Sequence, residues 1–359
     1  MIDAELLELL RELVEIESPT YTPGPGKVAQ RIGEELERLG AQPELLDGDH
    51  LQADLAGKGQ PLLLSGHVDT VWPVGTLETM PFRIDDGRAY GPGVHDMKAC
   101  LVVLVEAIRR AGPERRALRV FLTADEEMGS RTARPLLERA AEGTAAAFIV
   151  EPPGETGNLK TSRKGLGRFT LTITGRSAHA SSPEDGVSAI HELAHQIHAL
   201  HALNDAERGT TVNVGVVRGG TSENVVAAQA EARVDVRVRQ FTDRERVERV
   251  LAELKPVHPE VTLTLSGDWT RPPLERSEGA ARLFAQAHAY GRELGLDLDE
   301  ESSGGGSDGN LVGARGVPVL DGLGAAGRGA HAPDEHVFLE SIPVRAELLA
   351  RLLRDPGLP

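Results

Sequence analysis

GRFTLTITG, residues 167–175, is where the rhythm of the chain changes. Apolar Phe169, Leu171 and Ile173 alternate with Arg168, Thr170, Thr172 and Thr174, the period of a strand with one face covered and one exposed. Beyond it the spacing predicts a helix over 187–203, then strands in TVNVGVVRG (211–219) and EARVDVRVR (231–239). A helix over 242–254 and a strand in VTLTLSG (261–267) follow. That order is β-α-β-β-α-β, the ferredoxin-like unit. DWTRPPLE, with Pro272 and Pro273, closes the segment.

The flanks read differently. Apolar spacing predicts helices over 2–16 and 27–39. Then strands PLLLSG (61–66), LRVFLT (118–123) and AAFIVE (146–151) alternate with helices over 97–111 and 131–141. Apolar strands separated by helices imply a mostly parallel sheet with both faces covered. The same rhythm returns from residue 276. The expected fold is therefore α/β: a catalytic domain (1–165 and 274–359) with a ferredoxin-like domain (166–273) inserted into it.

Composition narrows the classes. A length of 359 residues suits two domains. A net charge of −16 disfavours a nucleic acid held through its phosphates. The single cysteine, Cys100, excludes an internal disulfide framework and fits a reducing cytoplasm, the expected location. MIDAELLELLRELVEIES is an acidic amphipathic helix without the basic and apolar regions of a signal peptide. No apolar run reaches bilayer-spanning length, so no membrane partner is expected.

Five polar clusters fall where the strands of the first domain should end, the place where open α/β sheets carry their chemistry. In SGHVDT, His67 and Asp69 share one face of an extended chain, and a carboxylate beside a metal-binding imidazole can orient it. In YGPGVHDMKAC, Asp96 reads either as a helix N-cap or as a ligand, and His95 beside it as incidental. In FLTADEEMGS, Asp125, Glu126 and Glu127 repel one another unless solvent, a helix N-terminus or a cation compensates. Glu151 ends the strand in FIVEPP, and His331 sits in the glycine-rich GRGAHAPDEHV. Together His67, Asp96, Glu127, Glu151 and His331 supply two imidazoles and three carboxylates, a mixture that zinc accepts. Two such metals, roughly 3.5–4 Å apart, can share a carboxylate and a water, leaving Glu126 beside them as a base.

A competing signal stands in the inserted segment. HELAHQIHALH (191–201) contains H-E-x-x-H, the zincin signature. Ile190, Leu193, Ile197 and Leu200 should form its apolar face, with His191, His195 and His198 on another. A metzincin turns on a glycine before its third histidine, and His198 stands there instead. A solvated or subunit-facing stripe, able at most to bind metal adventitiously, is the expected reading.

The series SGHVDT, YGPGVHDMKAC, TADEEMGS, VEPP, GRSAHAS and GAHAPDEH resembles the co-catalytic zinc amidohydrolases, from about residue 5 to 350. That family includes glutamate carboxypeptidase, aminoacylase, acetylornithine deacetylase and succinyl-diaminopimelate desuccinylase. The resemblance implies two zinc ions per chain, with cobalt or manganese as substitutes. It implies that Asp96 bridges them, that His67 and Glu151 complete one site, and that Glu127 and His331 complete the other. Asp69 would orient His67, and Glu126 would be the general base. Glu151, rather than Asp, looks like the carboxypeptidase and deacylase side of the family, not its aminopeptidases.

LKTSRKGLGRFTLTITGRSAHASSPEDG and GTTVNVGVVRGGTSENVVAAQAEARVDVRVR look like the glutamate carboxypeptidase branch, where the inserted domain is a lid and a dimerisation element. By that resemblance His179, Asn224 and Arg237 hold the substrate carboxylate and the reaction oxyanion. Gly305 and Gly306 of SSGGGSD form the backbone loop near the same carboxylate. Ala227 departs from the proline common at that place, which touches no ligand. The implied activity is amide hydrolysis releasing a C-terminal, Glu-like amino acid, by a homodimer in which His179 reaches the neighbour's metal centre. An N-acyl amino acid deacylase is the nearest alternative. A non-catalytic metal-binding homologue is the alternative of a different class, and the intact ligand set with Glu126 argues against it.

Overall fold

The structure, a computed structural model, describes residues 2–154, 156–355 and 357. Contacts divide it into two units. One comprises Met1–Ser162, Glu275–Ser303 and Ser307–Pro359; the other comprises Arg163–Leu274 with Gly304–Gly306. The divisions fall a few residues outside 165/166 and 273/274, and the three glycines group with the second unit. No described helix is long and apolar enough to cross a membrane.

The first unit is built on a six-stranded sheet in the order Gln42–Leu46, His50–Leu55, Arg116–Thr123, Lys58–His67, Ala146–Ile149, Val319–Leu320. The last four strands in that order run parallel. Leu62, Leu63 and Leu64 are all fully buried, as a strand covered on both faces requires. The helix Ala99–Ala111 is buried at every residue but Arg109 and Arg110 and lies against the helix Ser341–Arg354. A helix apolar around most of its circumference belongs in a core. The antiparallel strands Gln42–Leu46 and His50–Leu55 extend the sheet at its edge, where apolar spacing predicts no strand. Gln42–Leu46 is largely exposed and does not alternate in burial, so it carries no periodic signal.

Strand register sets the site. His67 pairs with Thr123, and Ser65 with Ile149, so three carboxyl ends lie level. Asp69, the Asp125–Glu127 acids and Glu151 all follow within a few residues.

The second unit is a four-stranded antiparallel sheet in the order Thr211–Gly219, Gln229–Val238, Gly165–Thr174, Thr262–Arg271. In chain order its elements run strand, helix (Ala189–His201), strand, strand, helix (Phe241–Ala252), strand. Phe169, Leu171, Ile173, Val234, Val236, Leu193, Leu200, Val247 and Leu251 form one core between the sheet and the two helices. The last strand runs beyond the expected 267 to Arg271. Trp269 is buried there edge-on to Phe169, at 6.0 Å between ring centres, which holds the extra turn of chain in the sheet. The strand Thr211–Gly219 lies at the sheet edge.

Candidate metal centre

In the first unit the strand ends and two loops bring five ligand-type side chains into two overlapping groups. His67, Asp96 and Glu151 form one; Asp96, Glu127 and His331 form the other. Within each group the donor atoms lie within 4.8 Å of one another. Asp96 belongs to both: Oδ1 lies 3.1 Å from His67 Nε2, and Oδ2 lies 3.5 Å from His331 Nε2. Glu151 Oε1 is 3.6 Å from His67 Nε2, and Glu127 Oε1 is 3.2 Å from His331 Nε2. Asp96 does not cap the helix after it. That helix starts at Ala99 without a side-chain cap, and Asp96 has non-helical backbone angles in the turn before it. His331 has a left-handed backbone (φ 62°), unusual for a residue other than glycine and more often found at functional sites.

The supporting contacts are specific. His67 Nδ1 lies 2.9 Å from the carbonyl oxygen of Asp69 and 3.4 Å from its carboxylate, so the main chain is the nearer partner. The Asp69 carboxylate accepts the backbone N–H groups of Glu126 (3.1 Å) and Glu127 (3.2 Å) and the hydroxyl of Thr20 (2.6 Å). It thereby ties the two acids to the loop of His67. The three adjacent acids part company: Asp125 is buried and accepts from Thr132 N, Thr132 Oγ1 and Ala133 N, which settles the following turn. Glu126 belongs to neither ligand group, and His95 is buried outside both. Glu335, which sequence reasoning does not single out, is fully buried and accepts four N–H groups around this centre. Nothing in the local pattern of GAHAPDEHV distinguishes it from a loop acid.

Electrostatics follow from crowding. Burial works against a charged His67, yet hydrogen bonds to Asp69 and Asp96 and the charges of Asp96 and Glu151 raise its pKa well above the usual value. Contacts with Asp96 and Glu127 push His331 up to about 10. Burial also opposes the Asp96 carboxylate, and His331 and His67 outweigh it, holding that group well below the usual range. Glu127 is raised, first by burial and then by the charge of Asp96, against the pull of His331. Three clustered carboxylates facing two imidazoles form a donor set that fits divalent cations of zinc type, and the two oxygens of Asp96 address one group each.

In the second unit, His179 is exposed, and its Nδ1 accepts the backbone N–H of Ser181 at 3.1 Å. Its loop pairs with that of Asn224: Val226 N donates to Ala178 O and Ala180 N to Asn224 O, both at 2.9 Å. Arg237 donates to the Asp235 carboxylate (3.0 Å) and to Gly304 O (2.9 Å). Arg163 reaches the carbonyls of Gly305 and Gly306 at 3.4 and 3.2 Å. A side chain on Gly306 would run into Leu166 and Arg271, which explains a glycine there. Arg237 and Asn224 are not neighbours. Arg237 pairs with Leu166 at one end of the sheet and Gln229 with Thr174 at the other, about 26 Å of strand at ~3.3 Å per residue. The Asn224 and His179 loops continue the ladder beyond that far end.

The H-E-x-x-H helix has another use for its glutamate. Glu192 is buried and accepts from Gln196 Nε2 (2.7 Å), Val257 N (2.9 Å) and His258 N (3.0 Å), pinning the loop after the second helix. Burial opposes its charge, and those N–H donors outweigh it, so its pKa lies below the usual value. His191, His195 and His198 are exposed, and none joins a ligand group among the described residues. Ile190 corrects the expected apolar face: it is 47% exposed, while Leu193 and Leu200 are buried.

The family model for peptidase family M20/M25/M40 matches residues 63–355. Carboxypeptidase G2 of a Pseudomonas species is 30% identical over 98% of this chain and 89% of its own length. Succinyl-diaminopimelate desuccinylase of Thioalkalivibrio sulfidiphilus is 29% identical over 98% of both. Among solved structures, an M20 family metallo-carboxypeptidase from Sulfolobus solfataricus superposes with a TM-score of 0.78 at 18% identity, covering 98% of this chain and 99% of its own. The aminopeptidase PepT of Bacillus cereus gives 0.80 at 23%, covering 98% of each; at such identities the likeness is one of fold. The chain belongs to peptidase family M20/M25/M40 and is a metal-dependent hydrolase of its metallopeptidase and amidohydrolase kind.

Proposed function

We propose that the protein is a di-zinc metallopeptidase that cleaves an amide bond and releases a C-terminal, Glu-like amino acid. The observation that carries this reading is the Asp96 carboxylate, with one oxygen toward each of two ligand groups. His67, Asp96 and Glu151 would hold one zinc ion, and Asp96, Glu127 and His331 the other. Bound there, the ions supply Lewis acidity to the scissile carbonyl and acidify water. Glu126, fixed through its own N–H to Asp69, takes the proton of the attacking water and returns it to the leaving nitrogen. His179 accepts at Nδ1, so a neutral ring carries its hydrogen on Nε2 and can donate to an oxyanion. Arg237, already oriented by Asp235 and Gly304, offers its planar fork to the substrate carboxylate, with the Gly305–Gly306 backbone beside it.

The sheet register supports a second copy in the site. Asn224 and His179 lie at the opposite end from Arg237, so one chain cannot apply all three to one small substrate. In a C2 homodimer a partner supplies His179 and Asn224, while Arg237 comes from the chain that holds the metals. The edge strand Thr211–Gly219, with Val216 and Val217 exposed, is the surface we assign to that pairing. Its place in the cytoplasm rests on the lone, buried cysteine.

Similarity to the desuccinylases favours one other reading, an N-acyl amino acid deacylase. Zinc-loaded enzyme on a panel of peptidyl, acetyl and succinyl amino acids, scored by released amino acid, separates the two. Mixing two inactive variants, His179→Ala and Glu126→Gln, tests the shared site. Random exchange makes about half the dimers mixed, each with one intact site, so about a quarter of wild-type activity should return for independent sites. Proven heterodimers without recovery would place His179 in its own chain's site or outside the reaction.

A further inference from the structure

Glu335 is fully buried beside a centre already crowded with carboxylates. Its Oε1 accepts the backbone N–H groups of His95 (2.9 Å) and Asp96 (3.0 Å). Its Oε2 accepts the backbone N–H of Gly93 (2.9 Å) and the indole N–H of Trp72 (2.8 Å). Another buried carboxylate near Asp96 costs electrostatic energy, and four N–H donors to its two oxygens offset that cost. The donors come from two separate segments. Gly93–Asp96 carries Asp96, and Trp72 lies just past His67 and Asp69. Glu335 itself stands four residues after His331, across two tight turns closed by Ala332 N to Gly329 O (2.8 Å) and Glu335 N to Ala332 O (3.0 Å). One carboxylate thus joins the three loops that carry His67, Asp96 and His331. The Gly93 backbone comes so close to the first loop that a side chain there would meet Thr70 Cγ2 at 2.4 Å.

The two ligand groups depend on this joint unequally. His67 ends a strand laddered to Arg116–Thr123, and Glu151 follows another, so the sheet places both. His331 stands in a loop, with its side chain 49% exposed. The short strands Gly327–Arg328 and His336–Phe338 flank that loop, and the second pairs with Arg88–Tyr90 ahead of Asp96. A small sheet thus fixes the loop's ends, while its tip, where His331 stands, is tied to the Asp96 turn through Glu335. We infer that Glu335 is a positioning residue that sets the Asp96–His331 spacing and thereby the affinity of the Asp96–Glu127–His331 group for its cation, an inference that rests on the two-cation reading of the centre.

The experiment is competition for zinc between the protein and a chromophoric chelator, with Glu335→Gln and Trp72→Phe beside wild type. A glutamine has one acceptor oxygen, so in either orientation its NH₂ faces two N–H donors. Glu335→Gln should bind one zinc equivalent nearly as wild type does and the other roughly 10–100-fold more weakly, the scale seen when groups supporting a metal ligand are removed. Trp72→Phe removes one donor at a half-buried ring and should give a smaller loss at the same equivalent. The chain has two tryptophans, Trp72 and Trp269, so in a Trp269→Phe background the emission of Trp72 reports the joint directly. It should shift in Glu335→Gln and should respond to the weaker equivalent. If wild type binds two equivalents and both variants bind both as tightly, with only a lower Tm, Glu335 is structural and the inference is overturned. If Glu335→Gln does not fold, Trp72→Phe decides by the same measurement. A wild type that binds fewer than two equivalents would instead overturn the two-cation reading.

Discussion

Two regions of this chain gather histidine and glutamate, and they behave in opposite ways. In the helix Ala189–His201 the residues are contiguous and match a known zinc motif, yet Glu192 turns inward to hold a loop while His191 and His195 stand exposed. In the first unit the residues are scattered from 67 to 331, and they converge on shared donor distances. A helical motif makes a metal site only if its glutamate and histidines face the same space. Residues from separate strands make one when the sheet register levels the strand ends. What separates a ligand set from a histidine stripe is the direction of the side chains rather than their spacing in sequence.

The sharpest way to break this contrast is Glu126→Gln. It is nearly isosteric and should retain both metal equivalents, while kcat falls by roughly 10²-fold or more, the usual scale of general-base catalysis. Turnover close to wild type in metal-replete variant would remove Glu126 from the reaction.

A middling effect is expected in pH. In the protein alone His331 titrates at about 10 and His67 well above its usual value. An imidazole must be neutral to ligate, so zinc loading at pH 8 should release protons, and apparent affinity should fall as pH is lowered. Calorimetry in two buffers of different ionisation enthalpy checks this; heats independent of buffer would contradict it. The sign for stability is opposite. The protonated His331 of metal-free protein contributes fully below its unfolded pKa of about 6.5, and that contribution fades as pH rises through about 10.

The smallest effects belong to the helix. Glu192→Ala leaves the N–H groups of Val257 and His258 without their acceptor and should cost about 1–3 kcal/mol of stability. Activity per folded molecule should not change. The double variant His191→Ala/His195→Ala should change stability by no more than ~0.5 kcal/mol, as exposed positions usually do, and should keep full activity. Loss of catalytic metal from that double variant would reverse the comparison.

Much of this arrangement is legible in the amino-acid sequence. The alternation of Phe169, Leu171 and Ile173 and the apolar run Leu62–Leu64 report local burial, because side-chain period follows from backbone geometry. His67, Glu127 and Glu151 stand out because polar residues end apolar strands, where α/β sheets place chemistry. Gln42–Leu46 does not stand out, because an exposed edge strand imposes no period on its residues.

Other features depend on which distant segments meet. Glu335 reads as one acid among several until it faces Gly93, His95 and Asp96, some 240 residues earlier in the chain. Asp125 parts from Glu126 and Glu127 only because Thr132 and Ala133 offer it donors. Arg237 and Asn224 read as a pair until the antiparallel register sets them at opposite ends of one sheet. Periodicity and residue type are local properties, and the sequence by itself determined the elements and the donor chemistry. Register, side-chain direction and the joining of loops come from packing between segments far apart in the chain, so only the tertiary structure decided which donors share a space.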